Sequence, residues 1–157
     1  MKAVFSALQL AHAPARFLSK GHIVGYPESP ERARALLEGA RQAGAHICAA
    51  RRFADDTITA IHAEAYVEFL KTAHGAWRAI EGAGPELMPS LRPTYPMLME
   101  PKHIMGRAGM FMMDFSCAIT EKTWSSVQAS AMTALTAADL VLKGERVSYA
   151  LCRPPGH

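Results

Sequence analysis

The run TWSSVQASAMTALTAADLVLKGERVSYALCRPPGH, residues 123–157, decides how this chain is read. Its first part repeats apolar residues at helical spacing, with Val127, Ala131, Leu135, Ala138 and Leu142 on one face. The pattern predicts a helix over 123–143, ended by Gly144. Val147 to Leu151 (VSYAL) is short and apolar and predicts a strand. That strand runs straight into Cys152-Arg-Pro-Pro-Gly-His157. Two prolines and a glycine make a stiff turn that presents a side chain at small entropic cost. A histidine at such a point suits proton transfer. Taken alone, the turn is better read as an ordinary loop at the end of a strand.

Working back toward the start, the same alternation recurs. Lys2 to Ser6 (KAVFS) predicts a buried first strand, and His46 to Ala50 (HICAA) a second. Between them lies a well-signalled helix. Ser29 suits the N-cap, Pro30 the first helical position, and Gly44 the C-terminal cap. Its apolar face is Ala33, Leu36, Leu37 and Ala40. Asp55 and Asp56 suit the start of a short helix through Ile58 and Ile61. A longer one begins near Ala63, where Tyr66, Phe69, Leu70, Ala73, Trp77 and Ile80 form a core stripe that Gly82 ends. Two stretches read as long loops: 7–29, and 82–109, where five prolines forbid any long regular element. Strands alternating with helices predict an α/β layer architecture with parallel strands. Ligands bind outside the carboxyl ends of such strands, and the Arg-Pro-Pro-Gly-His turn has that position.

Composition narrows the function classes. Half of the 157 residues are hydrophobic and 20% are charged, which fits one globular domain. A net charge of +3 with scattered arginines argues against a nucleic-acid partner. The N-terminus lacks a signal-peptide core and no segment reaches membrane-spanning length, so a cytoplasmic protein without a membrane partner is expected. Cys48, Cys117 and Cys152 lie far apart among apolar residues, and are expected to be small buried hydrophobes in a reducing compartment. No HExxH, GxSxG, P-loop or GxGxxG motif occurs. His46 and His62 are expected to be structural, and His74 to lie on a helix surface. None offers metal-ligand spacing.

Several segments together carry a family resemblance. RPPGH after YALC resembles the segment up to the first histidine of the tandem His-His in the histone deacetylase superfamily. PESPERARALLEGARQAG (27–44) is similar to that family's first helix, and IHAEAYVEFLKTAHGAW (61–77) to its His-x-x-x-Tyr-x-x-Phe-Leu region. ITEKTWSSVQASAMTALTAADLVLKGE (119–145) is similar to the helix before the tandem histidines. The pattern is most similar to the bacterial acetylpolyamine amidohydrolase branch.

The resemblance implies a three-layer α/β/α fold with a parallel sheet, arginase/deacetylase-like. Here it would be the first part with about three strands, residues 1–157 being the N-terminal portion of one deacetylase domain. It implies hydrolysis of acetylated amines, such as acetylpolyamines or acetyl-lysine peptides, with one zinc ion held by two aspartates and a histidine. The ligand positions lie downstream in the family, so the metal ligands expected within this chain are none. His157 matches the first tandem histidine, the expected catalytic residue. Asp114, the one acid in the methionine-rich stretch 105–116, is the candidate contact for a cationic substrate, although that stretch is more simply read as packing. Pro155 and Gly156 complete the substrate-binding set. The chain alone is expected to be inactive, to bind no stoichiometric zinc and to form a homo-oligomer through an unpaired strand edge. A non-catalytic interaction module keeping half the fold, or an unrelated small α/β binding domain, remain as alternatives.

Overall fold

The structure is a computed structural model, and it describes residues 1–54, 56–89, 99–112, 114 and 117–155. The chain resolves into two compact units. Among the described residues, the first lies within 1–13, 28–60 and 124–155, and the second within 14–27 and 61–123.

The first unit is built on a parallel three-stranded sheet. Strand β1 (Lys2–Phe5) runs into a 3-10 helix over Ala7–Ala11. In the second unit, strands β2 (Arg16–Ser19) and β3 (His22–Gly25) follow. The chain then returns to the first unit as helix α1 (Pro30–Gln42), strand β4 (His46–Ala49) and the short helix α2 (Asp56–Thr59). Strand β1 is central, with Ala3 opposite Ile47 of β4 on one side. On the other side Ala3 faces Tyr149 of the strand β5 (Ser148–Ala150), giving the order β4-β1-β5. Ala3 and Val4 have no exposed surface, as a middle strand covered on both faces requires. Ala3, Ala40 and Leu151 pack together, with Phe5, Leu37, Ala45 and Ile47 against them.

Helix α1 begins where the sequence predicts, with Pro30 in its first turn. Ser29 holds the extended cap conformation, but its side chain makes no cap hydrogen bond. It bonds the Glu31 carboxylate instead, which holds that acid below its usual range. Only Ala33 and Ala40 of the predicted face are buried, and Leu36 is 47% exposed.

The expected face of the long helix is corrected. Helix α5 (Thr123–Leu142) does not bury the Val127–Leu142 stripe, and Ala138 and Leu142 face solvent. Ser126, Ala129, Met132, Thr133, Thr136 and Ala137 are buried instead. The hydroxyls make this possible by bonding back to the preceding turn. Thr133 donates to the Ala129 carbonyl at 2.8 Å, and Thr136 to the Met132 carbonyl at 2.7 Å. The Thr136 oxygen also accepts from the Arg51 backbone N–H at 2.9 Å.

In the second unit, the expected loop over 7–29 is also corrected. Residues 7–11 are the 3-10 helix of the first unit, and β2 and β3 pair as an antiparallel hairpin with Phe17 opposite Val24. Lys20 and Gly21 both have positive φ, +50° and +80°, as a two-residue hairpin turn needs. Helix α3 (Glu64–Arg78) buries Val67, Phe69 and Ala73, so the predicted stripe is core. A helix unforeseen in the second loop, α4 (Ile104–Phe111), starts beyond the last proline, Pro101. A Cβ on Gly106 would lie 2.6 Å from the Pro101 side chain, so only glycine fits there. Phe69, Ala73, Leu87, Ile104, Ala108, Met112 and Ile119 form this unit's core.

Two smaller expectations also change. Cys48 and Cys117 are half-buried and Cys152 is exposed, all three as free thiols. His46 and His62 are exposed and not enclosed in apolar settings, and the His46 ring lies 3.4 Å from Cys48 Sγ. Among the described residues no helix is long and apolar enough to cross a membrane.

The α5 assignment predicts unequal costs along the helix. Thr136→Val removes the acceptor of the Arg51 N–H and is expected to destabilise by about 1–3 kcal/mol. Ala138→Gln, on the open side, is expected to stay within about 0.5 kcal/mol of the parent. Urea unfolding of the two variants decides, and equal losses would refute the assigned face.

Candidate functional site

Beyond β5 the chain passes through a buried polar cluster in the first unit. Leu151 is buried and its N–H bonds the Val4 carbonyl at 3.0 Å, extending the sheet by one rung. Gln9, from the 3-10 helix, is fully buried. Its Nε2 donates to the Leu151 carbonyl at 3.0 Å, and its Oε1 accepts from the Arg153 backbone N–H. One side chain thus holds both sides of residue 152, where a regular ladder has ended.

The Arg153 side chain turns inward and is 4% exposed. Its Nη1 donates to the Gln9 carbonyl at 2.7 Å and its Nη2 to the Glu28 carbonyl at 3.1 Å. Its Nε donates to Glu28 Oε1 at 3.0 Å, completing a buried ion pair. Arg32, a turn along α1, lies 3.6 Å from the same oxygen. Glu28 Oε2 is buried without a hydrogen-bond partner among the described residues. His12 is buried beside this group. Burial first, and then the Arg153 charge, push its pKa down to about 4, so the ring is neutral at pH 7.

A cavity of about 100 Å³ adjoins the cluster, lined in part by Glu28, Arg32, Leu36, Leu151 and Arg153. Pro155, the expected substrate-binding residue, is exposed and lines it too. The Cys152 thiol donates to the Ser130 carbonyl at 3.5 Å, and partial desolvation of this otherwise exposed residue pushes its pKa up. Gly156 and His157 lie outside the described residues. Asp114 belongs to the second unit, where it is half-buried and its carbonyl accepts from the Cys117 thiol at 3.4 Å. Sequence reasoning missed Gln9, His12, Glu28 and Arg153 as a group. The only local signal was Gln9 and His12 interrupting an apolar stretch.

A zinc ion needs three protein donors in a catalytic site. Among the described residues no three histidine, cysteine, aspartate or glutamate side chains come together in this way. The described donor set therefore does not fit the metal that the family resemblance implies.

A profile of the histone deacetylase domain matches residues 26–157. The chain is 35% identical to the acetylpolyamine amidohydrolase of Burkholderia pseudomallei, over all of this chain and 46% of that protein. It is also 35% identical to acetylpolyamine amidohydrolase 2 of Pseudomonas aeruginosa, over 83% of this chain and 38% of the relative. The crystal structure of acetylpolyamine aminohydrolase from Burkholderia pseudomallei superposes with a TM-score of 0.93, covering 100% of this chain and 46% of that one. The chain thus spans less than half the length of these relatives.

The cluster generates two predictions. Glu28→Ala leaves a guanidinium buried and uncompensated, at an expected cost of about 3–5 kcal/mol. Adding Arg153→Leu should recover part of it, and denaturant unfolding of the single and double variants measures both. The second concerns pH. The folded pKa of His12 is depressed, so the unfolded chain binds the extra proton first as pH falls. The stability conferred by the neutral ring is present above the free value of 6.5 and lost as pH falls toward about 4. The loss amounts to up to about 3 kcal/mol. Unfolding midpoints over that range should fall less steeply in His12→Gln, and parallel profiles would refute the assignment.

Proposed function

Because the chain belongs to the histone deacetylase domain family, we propose that it is the N-terminal part of a zinc-dependent hydrolase that removes acetyl groups from amines. The observation that carries this is the superposition of the whole chain on an acetylpolyamine aminohydrolase at a TM-score of 0.93. Small acetylated amines, acetylpolyamines foremost, are the substrates in this reading, as the names of the relatives suggest. An acetyl-lysine peptide is the other member of the class.

In this reading His157 moves a proton during cleavage of the amide. Pro154 and Pro155 stiffen its approach, and Pro155 and Gly156 border the substrate. Asp114 offers a carboxylate to a cationic amine. Zinc, if held by the complete domain, would polarise the acyl carbonyl and activate water. Its ligands belong to the part of the domain that this chain does not include. Residues 1–157 are then one portion of a single deacetylase domain, inactive alone and working in the cytoplasm. The outer edge of β5 and the apolar face of α5 are covered by the rest of the domain or by a second copy.

The test joins residues 1–157 to the C-terminal part of the Burkholderia pseudomallei relative. The joined protein is expected to release acetate from an acetylated polyamine in a zinc-dependent manner, and the chain alone to release none. His157→Ala should slow the joined protein by about 10²- to 10⁴-fold. A folded joined protein without acetate release would refute the reading.

A further inference from the structure

The segment 151–155, which precedes His157 in the sequence, is held by more than its own prolines. Gln9 grips Leu151 and the Arg153 backbone, and Glu28 and the Gln9 carbonyl hold the Arg153 guanidinium. Apolar residues of similar volume would satisfy the core equally well, since a buried ion pair adds little net stability over a hydrophobic replacement. What the polar cluster supplies is direction. A guanidinium with three hydrogen-bonded nitrogens has one allowed orientation, and so does the backbone that carries it. The backbone it fixes lies four residues before His157, with Pro154 and Pro155 between.

We propose that Gln9 and Glu28 are positioning residues for the deacetylase reaction, acting through Arg153 on the segment that precedes His157 in the sequence. The proposal rests on the deacetylase reading above. Neither residue needs to touch the substrate, and both come from segments more than 120 residues earlier in the chain.

Two measurements test it. In this chain, Gln9→Ala should speed amide exchange of Arg153 at least about 10-fold while Ala3 and Val4, in the central strand, keep their protection. In the joined protein described above, Gln9→Ala and Glu28→Gln should lower kcat by at least about 10-fold with KM within about two-fold. Glu28→Asp, which keeps the charge, should recover part of the rate. If Gln9→Ala fails to fold, the isosteric Glu28→Gln carries both measurements. Parent-like kcat in a folded variant whose Arg153 amide has lost protection would overturn the proposal, as would a change confined to KM. Inactivity of the unmodified joined protein is a different failure, that of the deacetylase reading, and shows before any variant is compared.

Discussion

A guanidinium taken out of water has to find hydrogen-bond acceptors in place, or the fold that buries it is lost. Arg153 is such a group, and its acceptors come from two distant parts of the chain: Gln9 after the first strand, and Glu28 just before α1. Meeting that requirement fixes the 3-10 helix, the start of α1 and the segment after β5 relative to one another within the first unit. His12 shares the constraint. Its ring stays neutral because burial, and then the nearby Arg153 charge, disfavour the protonated form. The sheet beneath is ordinary, with small and β-branched residues between two parallel neighbours. The polar layer at its carboxyl end distinguishes this unit from a generic α/β half-fold.

Much of the architecture was legible because it rests on local chemistry. Ser29, Pro30 and Gly44 bracket α1 whatever lies around them, and the Tyr66–Ile80 stripe repeats at a period that only a helix satisfies. The parallel sheet followed from the alternation of strands and helices, and the likeness of the fold to deacetylases followed from RPPGH and the segments upstream. The errors have physical reasons too. The buried side of α5 was misread because hydrophobicity was taken as the guide to burial. Thr133 and Thr136 bury well once their hydroxyls are bonded to the preceding turn, whereas Val141 and Leu142 stay exposed in this chain. The hairpin was hidden in a stretch read as loop. Its turn is Lys-Gly, a weaker signal than Asn-Gly, and the apolar residues Leu18, Ile23 and Val24 remain open to solvent.

The candidate site was legible only in part. Arg153 was visible as a letter of the RPPGH motif, but nothing local shows that it turns inward. Its partners lie 125 and 144 residues away. Such pairings leave no periodic trace in sequence. They appear only when the topology brings the carboxyl end of β5 beside the end of β1.

That topology sets an order of events during synthesis. Among the elements described, the central strand β1 is made first and its neighbour β5 last. Lys2 pairs with Ser148, so that pairing must wait until residue 148 has left the ribosome. Until then β1 has β4 on one side and an open edge on the other, with Gln9 and Glu28 made but Arg153 not yet present. The core of the second unit is more local, because Phe69, Ala108 and Ile119 all lie within residues 61–123. The growing chain therefore passes through a stage with one unit able to close and the other incomplete. During that stage its apolar first strand depends on shielding by something other than its final neighbour.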